Sequence, residues 1–338
     1  MFTLASLFGL LLAGAAVDLG DLVARPDAPK DDPRDESDHE DECDRPPESP
    51  LAGPTIEGGA GNDALNGTPL DDILFAWDGD DVVHGNLGDD LVDGGEGDDL
   101  LMGAEGSDTL IGAAGADDLL GDLDGDALAG GAGDDTLAGH DGNDLLDGGP
   151  GDDELIGGPG DDGLIGGPGD DAMMGGYGAD TLTGGPGDDI MNGNDDDDLL
   201  ASVTRDTSSY SYADSGGIDY LNGGTGDDTL LIGGGDIATA GPGADQVILG
   251  DWIVTSADGP ARIMDFDAAE DALIVVYDAQ AHPDPALTLA PGGDSMADAL
   301  LMLDGVPLAV VTGGAGIGPD QIALVPDVAL PPSISRAI

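Results

Sequence analysis

Between Gly58 and Ala201 apolar and polar positions recur on a fixed period of nine, and the period runs through sixteen copies without insertion or deletion. The eighth place is always aliphatic, from Leu65, Leu74, Val83, Val92 and Leu101 to Leu182, Met191 and Leu200. Places 7 to 9 therefore read out, in, out, the period-two mark of a three-residue strand with one inward side chain. Places 1 to 6 are glycine and aspartate, as in the copies GGEGDDLLM and GGPGDDELI, and read as a tight turn. Turn, strand, turn, strand closes one coil of eighteen residues. Eight coils stacked at ~4.8 Å predict an all-β solenoid of two parallel sheets, about 38 Å long.

Every copy has aspartate at its sixth place: Asp63, Asp72, Asp81, Asp90, Asp99, Asp108, Asp117, Asp126, Asp135, Asp144, Asp153, Asp162, Asp171, Asp180, Asp189 and Asp198. Glycines at places 1, 2 and 4 permit positive φ and let carbonyl oxygens turn inward where a side chain would collide. The carboxylate then lies beside those carbonyls in an oxygen-only, anionic, flexible cage of the kind a large hard cation prefers. Calcium fits this donor set, whereas zinc and copper do not. The only histidines in the run, His84 at a ninth place and His140 at a second, read as surface residues. A cation between successive turns on one edge would draw on both, pairing Asp63 with Asp81, Asp72 with Asp90, and so on to Asp180 with Asp198.

Charge sharpens this expectation. The chain has 72 acidic against 7 basic residues, a net charge of -65. Partners held through phosphate neutralisation are thereby excluded, nucleic acid and anionic membrane surfaces alike. Residues 58–201 carry 38 acidic groups, and no Lys or Arg lies between Arg45 and Arg205. Internal salt bridges cannot balance those carboxylates, so bound cations must. Cys43 is the single cysteine and has no partner for an internal disulfide. One aliphatic residue per nonapeptide is too little core to order the run, and without metal the chain is expected to repel itself and remain largely unfolded.

Four regions follow. Residues 1–24 form an apolar N-terminal segment whose first part, Met1 to Val17, is short for a membrane span and lacks a basic start. A signal sequence, a membrane tether and a hydrophobic helix packed elsewhere all stay open. Residues 25–57 are an acidic, proline-rich stretch expected to be a disordered linker. Residues 58–248 are the repeat region, with a break at 202–213 that reads as a loop or one degenerate turn. The rhythm then resumes as DSGGIDYLN and GGTGDDTLL, with Asp219 and Asp228 at the sixth place. A last partial copy, GPGADQVIL, keeps Asp245 with one residue lost from the spacing. In 249–338, aliphatic runs such as Ala272 to Tyr277 and Val306 to Thr312 predict a small β-rich cap over the exposed end of the stack.

The phrase resembles the GGxGxDxUx nonapeptide of RTX calcium-binding proteins, the hemolysin-type repeat family, over 58–201 and again at 214–231. The resemblance implies a right-handed parallel β-roll with calcium at the repeat turns. It makes the sixth-place aspartates, Asp219 and Asp228 included, the carboxylate ligands, and glycines such as Gly94, Gly95 and Gly97 the carbonyl donors. It also implies an extracellular protein exported by type I secretion machinery with an uncleaved C-terminal signal. The segment IMDFDAAEDAL, Ile263 to Leu273, is similar to the sequence that follows the repeats in many members. The chain departs at Leu70, Asp124 and Asp196, which replace the fourth-place glycine and put the turns of Asp72, Asp126 and Asp198 in question. The apolar N-terminus departs too, and a tether there would leave the protein attached to the cell surface.

Catalysis is not expected. His39-Glu40 lacks the second histidine of HExxH, Cys43 standing in its place, and GDSMA around Ser295 has Ala297 where GxSxG needs glycine. A calcium-dependent adhesin or matrix protein is the rival reading, since the outward places of alternate copies bring Leu100, Met102, Leu120, Ala138, Ile156, Ala172 and Met174 onto one sheet face suited to self-association or surface contact. A non-catalytic fragment of an RTX hydrolase is the third.

Overall fold

The computed structural model describes residues 53–205, 212–292 and 297–326; the apolar start, residues 25–52 of the linker with His39 and Glu40, and Ser295 lie outside the described residues, while Thr55 to Glu57, expected at the end of the linker, belong to the first strand. Two large sheets of thirteen and fourteen strands carry almost the whole described chain. The chain changes sheet at every nonapeptide: Ile73–Asp78 in the first, Val82–Leu87 in the second, Leu91–Glu96 in the first again. Pairing through the repeats is parallel and advances by one coil, with Leu74 opposite Val92, Val92 opposite Leu110 and Val83 opposite Leu101. The eighth-place side chains from Leu74 to Leu200 are at most 3% exposed and form one continuous core between the sheets. This is the parallel β-roll the period predicts.

Most strands are longer than the expected three residues. They run six residues, from place 7 through place 3 of the next copy, as in Leu91–Glu96 and Leu100–Glu105. Each thus has two inward positions, the aliphatic eighth place and the glycine that follows two residues later. Burial of that glycine escapes a polarity pattern because it has no side chain to classify. In three consecutive coils of the first sheet the strands do stop at three residues, in Leu145–Asp147, Gly163–Ile165 and Thr181–Thr183. Pro150, Pro168 and Pro186 stand at the third place of the copies that follow them. At the other extreme the first strand, Thr55–Ala60, starts ahead of Gly58 and lays Ile56 against the core.

The break near 202–213 is a loop and not a degenerate coil. Val203–Arg205 and Tyr212–Asp214 form a small antiparallel pair of their own. The roll closes beneath them, with Leu199–Ala201 paired to Thr229–Leu231 and Ile190–Asp195 to Tyr220–Thr225. Beyond the repeats both sheets continue. Gln246–Gly250, Ala272–Tyr277 and Ile322–Pro326 extend the first in parallel. Ala261–Ile263 and Val306–Val311 extend the second, which finishes in the antiparallel strands Asp298–Leu303 and Leu287–Gly292. Trp252 and Phe266 enlarge the core there, and the two sheets of the roll run on through this end.

Candidate metal centres along the roll edges

Each sixth-place aspartate closes its turn immediately before a strand begins. Its backbone N–H donates to Oδ1 of the sixth-place aspartate one coil on: Asp63 to Asp81 at 2.6 Å, Asp72 to Asp90 at 2.7 Å, Asp99 to Asp117 at 2.8 Å and Asp180 to Asp198 at 2.9 Å. The bonds form two columns. One contains Asp63, Asp81, Asp99, Asp117, Asp135, Asp153, Asp171, Asp189 and Asp219; the other contains Asp72, Asp90, Asp108, Asp126, Asp144, Asp162, Asp180, Asp198 and Asp228. The looped-out hairpin lengthens the step to 30 residues, at Asp189 to Asp219 and Asp198 to Asp228, without altering the bond, which stays at 2.8 Å.

The second carboxylate oxygen is different. Oδ2 is buried with no hydrogen-bond partner in every sixth-place aspartate from Asp81 through Asp228, and in Asp245. Beside it lies the first-place glycine of the same copy. A Cβ at Gly94 would collide with Asp99 Oδ2 and come 3.1 Å from the Gly112 carbonyl oxygen; at Gly148 the pair is Asp153 Oδ2 and Gly166 O, the latter at 2.8 Å. A bare carboxylate oxygen and a carbonyl of the next coil thus border one small space, kept open by the missing side chain. Both are acceptors, so neither can satisfy the other; only a cation or a proton can. Among the described residues no three acidic, histidine or cysteine side chains converge on one point. The charge is spread along each column, and carbonyls must complete any shell, as suits a hard ion with flexible oxygen ligation.

The electrostatics carry the same message. Burial pushes the carboxyls of Asp90, Asp99 and Asp108 up to about 6, those of Asp117, Asp126, Asp153 and Asp162 to about 7, that of Asp198 to about 8 and that of Asp219 to about 9. Like-charged neighbours in the column add to the rise, while the N–H from the preceding coil opposes it, as at Asp99. A row of acids held this far above the ordinary range lacks a counter-charge.

The column ends are closed by the protein itself. Asp63 Oδ2 accepts the Gly59 N–H at 2.7 Å, and Asp72 Oδ2 accepts the Thr68 N–H. These two predicted ligands therefore do not present the bare oxygen of the others. After Asp219 comes Asp236, where the Ser202 hydroxyl at 2.5 Å and the Gly233 N–H at 2.7 Å occupy Oδ2. Asp245, which continues the other column, is absent from the predicted ligands because a residue lost from its copy shifts it out of step. Two of the three irregular turns keep their shape, Asp124 and Asp196 taking the glycine conformation at φ 71° and 78°, whereas Leu70 does not. Asp72, Asp126 and Asp198 hold the same bond to the next coil, at 2.7, 2.8 and 2.8 Å. His84 lies half-buried on the outer sheet face, and His140 bonds Asp122 at 3.0 Å on the surface.

A second acidic column escapes a reading centred on the sixth place. Fifth-place carboxylates stack outside the first set with the opposite polarity: the Asp89 N–H donates back to Asp71 Oδ1 at 3.2 Å, Asp170 to Asp152 at 3.0 Å and Asp188 to Asp170 at 2.9 Å. The repeated Asp-Asp pair was its signal in the sequence. Close stacking also sets the tolerance of the turns. Gly97 has φ +128° and a Cβ there would collide with the Gly79 carbonyl, whereas Gly61, at φ +110°, has nothing within 4 Å. Gly97→Ala should lower the thermal midpoint of the calcium-saturated chain clearly more than Gly61→Ala, since both bear the left-handed strain of about 1–3 kcal/mol and only the first also pushes two coils apart. Equal midpoints for the two variants, followed by circular dichroism, would contradict this.

A stacked parallel roll with carboxylates and carbonyls lining both edges defines a solenoid edged by columns of oxygen donors. The family model described as RTX calcium-binding nonapeptide repeat (4 copies) matches residues 57–92, 93–128, 129–164, 165–200 and 214–235. The chain belongs to the RTX calcium-binding nonapeptide-repeat proteins. The search of curated proteins finds no match.

Proposed function

We propose that the roll binds calcium through its sixth-place aspartates and folds as it does so, acting outside the cell as a non-catalytic calcium-dependent module. The observation that carries this is the double row of buried Oδ2 atoms, Asp81 through Asp228 and Asp245, that face only other acceptors. The repeats belong to a family that binds calcium, and the donor set is all oxygen. The aspartates would hold the ion between coils, with first-place carbonyls such as that of Gly112 beside them; the ion would supply the positive charge that the chain between Arg45 and Arg205 lacks. Asp63 and Asp72 would contribute least, their Oδ2 atoms being already bonded.

Extracellular action rests on affinity and compartment. Sites of roughly micromolar to millimolar strength stay empty at low cytosolic calcium and fill outside, so the chain would travel unfolded and collapse on arrival. The type I export that the family resemblance implies suits such a passenger. Equilibrium dialysis tests the core of the proposal: the full chain should take up on the order of fourteen calcium ions, and Asp99→Asn with Asp117→Asn should lower that number. Magnesium, which demands near-ideal octahedral geometry, should not replace calcium at equal concentration. Uptake of two or fewer ions would overturn the assignment.

A further inference from the structure

The outer face of the second sheet changes character along the roll. Its second-place positions carry side chains in the earlier coils, Asn86, Ala104, Asp122 and His140, stacked in register. They become Gly158 and Gly176, then Asn194 and Gly224. Where the side chains stop, a trough of about 470 Å³ opens on the sheet. Ile156, Met174, Asn192 and Asn222 wall one side, and Tyr177 and Asp195 the other. Tyr177 is 64% exposed and Met174 44%.

We propose that this trough binds a neutral, extended oligosaccharide. The tyrosine presents a flat ring to solvent beside an apolar floor, the surface on which the C–H face of a sugar packs. Beside it runs a ladder of neutral amides: Asn222 Nδ2 donates to Asn192 Oδ1 at 2.7 Å and Asn192 Nδ2 to Asn194 Oδ1 at 2.6 Å. These bonds use one N–H of each donating amide and leave the other for a hydroxyl. Charge selects the ligand further. No Lys, Arg or His lines the trough, and its one carboxylate, Asp195, already accepts the Thr225 hydroxyl at 2.9 Å. With a net charge of -65 around it, an anionic ligand is repelled and a neutral one is not. The trough follows the stacking direction across four coils, from Ile156 to Asn222, and so suits an extended β-1,4-linked hexose ribbon lying along the stack better than a coiled glycan.

Cellohexaose titrated into the full chain in millimolar calcium is the test, read by calorimetry and by quenching of tyrosine fluorescence. Saturable binding is expected, weakened about tenfold by Tyr177→Ala and by Asn222→Ala, and unchanged by Val82→Ala on the same sheet away from the trough. All three side chains are on the surface, and circular dichroism in calcium should show every variant folded. That control separates this proposal from the calcium assignment, whose failure would show in the parent chain itself, as missing ion uptake or a fold that persists in EDTA, and not as a loss confined to the trough variants. No saturation, equal binding by Tyr177→Ala, or a trough occupied by a second copy, seen as a dimer that Tyr177→Ala dissociates, would each overturn it.

Discussion

Chelation at neutral pH should unfold the repeat region, and millimolar calcium should restore it. From Leu74 to Leu200 each nonapeptide contributes one fully buried eighth-place side chain, and only Ala76, Ile111 and Ala201 add to that column among the described residues of the run. Against it stand the ordering entropy of the backbone and 38 acidic groups in residues 58–201 with no basic residue among them. The buried Oδ2 row makes the imbalance local, since each of those oxygens lacks a donor and an unpaired buried charge is among the most destabilising features a fold can hold. Far-UV circular dichroism and hydrodynamic radius, followed with EDTA and then calcium, should show loss and recovery of β structure and compactness. The two tryptophans divide the response: Trp252 is 5% exposed in the cap, Trp77 is 51% exposed on the roll. A roll that keeps its β content and radius in EDTA would refute calcium-dependent folding.

Acid should substitute for calcium. Carboxyls whose folded pKa lies above the ordinary value favour the folded state when protonated; that contribution is complete below about pH 4 and is lost as pH rises through the raised values, about 6 at Asp90 and Asp171, about 7 at Asp162 and about 8 at Asp198. Holding one such group at about 6 rather than 3.8 destabilises the metal-free fold at neutral pH. In EDTA, lowering the pH from 8 to 5 should therefore recover β structure, the reverse of ordinary acid denaturation. In calcium the same protons compete with the ion, so uptake near pH 6.5 should release protons and apparent affinity should fall with acidification. Calorimetry in two buffers of different ionisation enthalpy measures the release. Identical heats in both, with no acid recovery in EDTA, would mean the columns carry no such burden.

Much of this was legible in the residues. The nine-residue period, the aliphatic eighth place and the invariant sixth-place aspartate specify two parallel sheets, one core column and the pairing of Asp99 with Asp117, because a strict repeat leaves stacking as the only way to bury one side chain per unit. The length of the strands was hidden, since an inward glycine has no polarity to read. So was the inequality of the aspartates: whether Oδ2 is bare, as in Asp81, or already bonded, depends on which donor stands beside it, the Gly59 N–H of the same turn at Asp63 and the distant Ser202 hydroxyl at Asp236. The hairpin at Val203–Arg205 and Tyr212–Asp214 could be placed outside the roll only by the pairing beneath it.

The sequence by itself determined the architecture and which aspartates line its two edges, for both follow from a local period that every copy repeats. Only the tertiary structure decided which carboxylate oxygens remain without a partner, how far burial raises their pKa values and where the outer face opens into a trough. Those depend on contacts between residues eighteen to thirty positions apart, and the free energy of an oxygen is set by what stands next to it in space.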